Sequence, residues 1–74
     1  MAKGFVHTVW KREQWINEVE EGDEFGGPHA TKDAAVEAGR ARAKTDKTEY
    51  VIHNQDGTIS ERSSYGNDPV SSTG

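Results

Sequence analysis

The stretch that decides the fold runs Glu49-Tyr50-Val51-Ile52-His53, Asn54-Gln55-Asp56-Gly57, Thr58-Ile59-Ser60-Glu61-Arg62. Two runs rich in β-branched and aromatic residues flank a cluster of turn formers that ends in Asp56-Gly57. Asp-Gly between such runs is among the strongest short-range hairpin signals, because a two-residue turn needs positive φ and glycine accepts it without cost. Asp56 and Gly57 are therefore read as the structural turn of an antiparallel pair.

Working back from this hairpin, the segment between Thr31 and Lys47 reads as a helix. Thr31 is an N-cap residue, Asp33 places a carboxylate in the first turn, and Arg42, Lys44 and Lys47 gather toward the C-terminus. At 100° per residue Ala35, Val36, Gly39 and Ala43 share one face. That stripe is apolar but small. It suits close approach to a sheet whose large residues (Trp15, Tyr50, Ile52, Ile59) fill the space, and Gly39 marks where a strand or an aromatic ring comes nearest.

Further back lies another hairpin. Phe5-Val6-His7-Thr8-Val9-Trp10 and Trp15-Ile16-Asn17-Glu18-Val19-Glu20 read as strands, joined by the charged Lys11-Arg12-Glu13-Gln14. Alternation puts Trp15, Asn17 and Val19 on one face of the second strand. Glu21 to Pro28 contains Gly22, Gly26, Gly27 and Pro28, and reads as a break in regular structure. Glu18, Glu20, Glu21, Asp23 and Glu24 put five carboxylates into seven residues there, read as a solvated hairpin end and loop.

The fold expected is α+β: a four-stranded antiparallel sheet of two hairpins, with one helix on one face, in the order ββαββ. Residues 1–69 form one domain, with Tyr65 pinning the chain back onto the sheet. Residues 70–74 are read as a disordered tail.

Composition bounds what such a chain can do. It has 74 residues, a net charge of −4 and no cysteine. The absence of cysteine removes thiol catalysis, thiolate metal sites and disulfide scaffolds. No apolar run exceeds three residues, whereas a signal peptide needs about 7–15 and a membrane helix about 20, so a cytoplasmic chain that avoids membranes is expected. The 31% of residues that are hydrophobic include no leucine and many alanines, a thin core for a single domain.

The stretch Tyr50-Val-Ile-His53-Asn-Gln-Asp56-Gly57-Thr-Ile59, followed by Ser64-Tyr65-Gly66-Asn67-Asp68-Pro69, resembles the bacterial domain-of-unknown-function family 2188. His7-Thr-Val9, Trp15 and Thr31-Lys-Asp-Ala-Ala-Val also match its pattern. Asn17 departs from it, since that position is commonly apolar. The resemblance spans about residues 3–69 and implies a fold without implying an activity, a cofactor or a catalytic residue.

Little in the chain points to catalysis. His7, His29 and His53 lack the spacing of a zinc site. Ser60, Ser63 and Ser64 lack an activating elbow, and Gly22-x-x-x-Gly26-Gly27 lacks the Lys-Ser/Thr of a phosphate loop. No catalytic, cofactor-binding or metal residue is assigned. The reading is a small non-enzymatic interaction or regulatory module, with a nucleic-acid-binding accessory protein as the alternative. That alternative would use the sheet face, Trp10 and the basic residues Lys11, Arg12, Arg40, Arg42, Lys44 and Lys47; the acidic run 18–24 disfavours it. Val6, Trp10, Ile16 and Val51 are read as a second apolar face opposite Phe5, Val9, Trp15, Tyr50 and Ile52. With Arg12 they are the candidate interaction surface, and a symmetric homodimer is expected to bury it.

Overall fold

The computed structural model describes residues 4–66. Its elements are β1 (Val6–Lys11), β2 (Gln14–Val19), β3 (Glu24–His29), α1 (Lys32–Asp46), β4 (Glu49–His53) and β5 (Ile59–Ser64). They form one mixed sheet in the order β3-β2-β1-β4-β5, with α1 against one face. The α+β class and single helix match expectation, whereas the four-stranded, wholly antiparallel sheet is corrected. The tail assigned to residues 70–74, and the domain's last residues 67–69, lie outside the described residues.

The extra strand is β3, which occupies the segment read as a break. It is irregular: Gly26 and Gly27 have φ of +76° and +71°, Pro28 lacks an N–H, and the pairing with β2 shifts register between Trp15 and Asn17. This one strand changes the topology. Each antiparallel strand reverses the chain, and a helical crossover then returns it parallel to the strand just left. With three strands before α1, β4 runs parallel to β1, through Val6↔Tyr50, His7↔Val51 and Thr8↔Ile52.

Register also corrects the faces. Val6↔Val19, Thr8↔Asn17 and Trp10↔Trp15 place these six side chains together, with Tyr50 and Ile52, beneath α1. Val6 and Trp10 therefore belong with Trp15 and Tyr50, while Val9 joins Ile16 and Val51 on the far face. Val6, Ala43, Tyr50 and Ile52 form the centre of the core, with Phe25, Val36 and Tyr65 packed around it.

The helix forms as read. Thr31 Oγ1 accepts from the Ala34 N–H at 3.2 Å, and Lys47 closes the other end in the left-handed conformation. Ala35, Gly39 and Ala43 are its buried residues. Below Gly39 lies a polar cluster inside the core. Thr8 donates to Asn17 Oδ1 at 2.5 Å, Asn17 Nδ2 donates to the Ala35 carbonyl at 2.9 Å, and the Tyr50 hydroxyl lies 2.5 Å from Thr8 Oγ1 and 3.3 Å from the Val36 carbonyl. Thr8 has spent its only hydroxyl hydrogen on Asn17, so the single Tyr50 hydrogen serves Thr8 at 2.5 Å and is shared with the more distant Val36 carbonyl. Thr8, Asn17 and Tyr50 are fully buried and mutually satisfied.

The β4–β5 turn is a three-residue loop and not the expected two-residue one. The Gly57 N–H donates to Asn54 O, the Asn54 N–H donates to Thr58 O, and Gly57 has φ +94°. This is the tight turn followed by a left-handed glycine that three-residue hairpins use. Asp56 accepts from the Thr58 N–H and hydroxyl, which hold its carboxyl below the usual range. Gly57→Val is expected to cost more than about 1 kcal/mol. An unchanged melting temperature would contradict that.

The first hairpin turns on two residues without glycine. Arg12 and Glu13 have φ of 50° and 64°, which side-chain-bearing residues rarely adopt. Replacing the pair by Asn-Gly is expected to raise stability by about 1–2 kcal/mol, because that dipeptide enters the same turn with less strain. A fall in thermal midpoint would show that the Arg12 and Glu13 side chains matter more than the backbone cost.

Candidate functional site

Two features lie outside the core: a polar band across the face away from α1, and the free edge of β5. The band begins on β4 and runs to β3. His53 and His7 meet with Nε2 and Nδ1 3.0 Å apart. The ring centroids are 5.2 Å apart, close to that gap plus two ring radii, so the nitrogens point at each other. Glu18 is the cross-strand neighbour of His7 and accepts from Lys11 Nζ at 3.0 Å. Lys11 also lies 3.6 Å from Glu24, which Arg12 approaches at 3.5 Å.

The head-on pair needs one N–H and one bare nitrogen, so it holds a single hydrogen between the rings. Burial, then the charge of His7, lowers the His53 pKa from its ordinary value, with Glu18 opposing. The consequence for stability has a definite sign. Above the ordinary histidine pKa near 6.5 the shift contributes nothing. Below it the unfolded chain takes up a proton that folded His53 resists, and stability falls until the folded pKa is passed. His53→Gln is expected to flatten denaturation midpoints between pH 7 and 5. An equal acid loss in the wild type and this variant would place the titrating group elsewhere.

The residues expected to form one interaction surface do not share one. Val6 is completely buried beneath the helix, and Trp10 is half-buried there against Trp15, with ring centroids 5.1 Å apart. Ile16 and Val51 lie on the far face, yet each is only 3% exposed. Arg12 sits at the hairpin tip beside Glu24. Asp56 and Gly57 lie in the three-residue β4–β5 loop, and Tyr65 directly follows β5. The Tyr65 N–H donates to Thr48 O at 3.2 Å, and its hydroxyl accepts from Arg40 at 2.8 Å.

Sequence reading placed His7 and His53 on strand faces but did not join them, because their meeting depends on the parallel β1–β4 pairing. It also missed the β5 edge. Tyr65 N–H bonding to Thr48, with the Tyr50↔Ser63 and Ile52↔Glu61 register, turns the backbone of Ser63 and Glu61 toward β4. Alternation then turns the N–H and C=O of Arg62 and Ser64 outward.

A shallow groove of about 490 Å³ follows the outer flank of α1, lined by Asp33, Val36, Glu37, Arg40, Ala41 and Lys44. It is remote in composition from the histidine pair. Among the described residues no cluster of three or more His, Asp or Glu side chains could hold a metal, and no helix is long and apolar enough to cross a membrane.

These features define a small α+β module with a polar sheet face and, among the described residues, an unpaired strand edge at β5. The chain belongs to a family described as an uncharacterized protein conserved in bacteria, DUF2188, which matches residues 6–65. No curated protein and no solved structure matches it.

Proposed function

We propose that this chain is a non-enzymatic protein-interaction module that takes its partner by strand addition along the free edge of β5. The observation that carries the reading is the contrast between the two sheet edges. Natural edge strands are protected from pairing by prolines, lysines or bulges. β3 has such protection in Gly26, Gly27 and Pro28. β5 has a register shift against β4 near its start, but its outer half, Glu61 to Ser64, is regular, contains neither proline, glycine nor lysine, and presents outward hydrogen-bonding groups at Arg62 and Ser64. Extended partners add to edges of this kind.

The nucleic-acid alternative draws less support. Four of its six basic side chains already have anionic or hydroxyl partners: Lys11 with Glu18, Arg12 with Glu24, Arg40 with Tyr65 and Glu61, and Arg42 with Asp46. Trp10 packs against Trp15 on the helix side and not on the open face a base would reach.

Arg62→Pro tests the edge directly. The Arg62 N–H points away from β4, so proline removes no bond within the sheet but blocks an added strand. Affinity capture from an extract of bacteria that also express the untagged chain, run in parallel with wild type and with a variant shown to keep its thermal midpoint, is expected to lose its retained proteins on this substitution. An identical retained set would refute strand addition at β5.

A further inference from the structure

We infer that the occupant of the β5 edge is a second copy of this chain, its β5 antiparallel to the first about a two-fold axis passing through Ser63. This rests on the edge reading above and adds the partner and its register. A closed two-fold pair is the commonest arrangement for a self-complementary patch.

With the axis perpendicular to the sheet, both helices stay on one side and the two sheets join into one. Paired residues must then share a face, so the axis passes through a residue position and not between two. Charge excludes the two central positions, and of the serines beside them Ser63 keeps Arg62 and Ser64, the two outward residues, paired with each other. An axis at Glu61 sets Glu61 against its own copy, and an axis at Arg62 does the same with Arg62. Like charges directly opposite one another are destabilising. An axis at Ser63 avoids both. It sets Ser63 against itself, Arg62 against the partner's Ser64, and Glu61 against the partner's Tyr65. The outward groups of Arg62 and Ser64 then exchange backbone hydrogen bonds with their counterparts.

The same register brings complementary charge together. Within one chain the Arg40 guanidinium donates to the Tyr65 hydroxyl at 2.8 Å and lies 3.9 Å from Glu61. Setting Glu61 beside the partner's Tyr65 therefore brings it near the partner's Arg40.

Because the chain has no cysteine, a substituted one is a unique probe. Ser63 faces its copy as a non-hydrogen-bonded pair, where Cα atoms lie about 4.5 Å apart, within disulfide range. Ser64 faces Arg62 and stands diagonal to its own copy. Wild-type protein at tens of micromolar is expected to sediment at twice the chain mass of 8.2 kDa. Under mild oxidation Ser63→Cys is expected to cross-link at least about tenfold faster than Ser64→Cys. Sedimentation at the single-chain mass across concentrations would overturn the inference while leaving the edge to its capture experiment. Equal cross-linking of the two variants would overturn the register.

Discussion

Gly39→Ala is expected to destabilise the protein by about 2–4 kcal/mol, although the same change in an unconstrained helix gains about 0.5–1 kcal/mol. A Cβ at this position would lie 2.6 Å from Asn17 Oδ1, 2.7 Å from the Tyr50 hydroxyl and 2.8 Å from Thr8 Oγ1. No flexible surface group stands among these three. All belong to buried side chains held by one another and by the helix carbonyls, so moving one leaves another without its partner. Urea denaturation decides the matter. Stability equal to or above that of the wild type would mean that the helix and sheet separate at little cost.

The second large effect is expected from Asn17→Ala, also about 2–4 kcal/mol. The substitution removes the donor to the Ala35 carbonyl and the acceptor of the Thr8 hydroxyl, and it leaves a void in the tightest part of the interface. The two changes should not add. Asn17 Oδ1 is the atom nearest the new methyl group, so removing it relieves part of the clash. The double variant is expected to lose at least about 1 kcal/mol less than the sum. Full additivity, or a loss below about 0.5 kcal/mol for Asn17→Ala alone, would deny the network its role in seating the helix.

These two residues also show where sequence reasoning reached and where it stopped. Gly39 was legible: a glycine in the middle of a small-residue stripe needs a close neighbour, and Tyr50 and two strands provide it. Asn17 was legible only as an oddity, a polar residue alternating with Trp15 and Val19 on one strand face. Its reason is the hydrogen-bonding pair Thr8 and Tyr50, which come from two other strands and meet only in three dimensions.

The helix caps and the four strands of the two hairpins were read from local signals because local chemistry determines them. β3 was not, since glycine and proline ordinarily end a strand, and here the edge tolerates both. Missing that strand changed the direction of everything beyond the helix. It hid the parallel β1–β4 junction, and with it the His7–His53 contact. It also obscured which faces coincide, so Val6 and Trp10 were grouped with Ile16 and Val51. The β5 edge could be seen only once strand order was known, because nothing in Ile59–Ser64 itself says whether a sixth strand lies beyond it.

The central claim is that β5 is the surface through which the protein meets its copy, and amide hydrogen exchange tests it most directly. The Arg62 and Ser64 amides point away from β4, so in a lone chain they exchange rapidly, whereas those of Glu61 and Ser63 are turned toward β4. Raising the protein concentration through the association range is expected to slow exchange at Arg62 and Ser64 and to leave Phe25 and His29 on the opposite edge unchanged. Exchange at Arg62 and Ser64 that stays fast and independent of concentration would contradict the account.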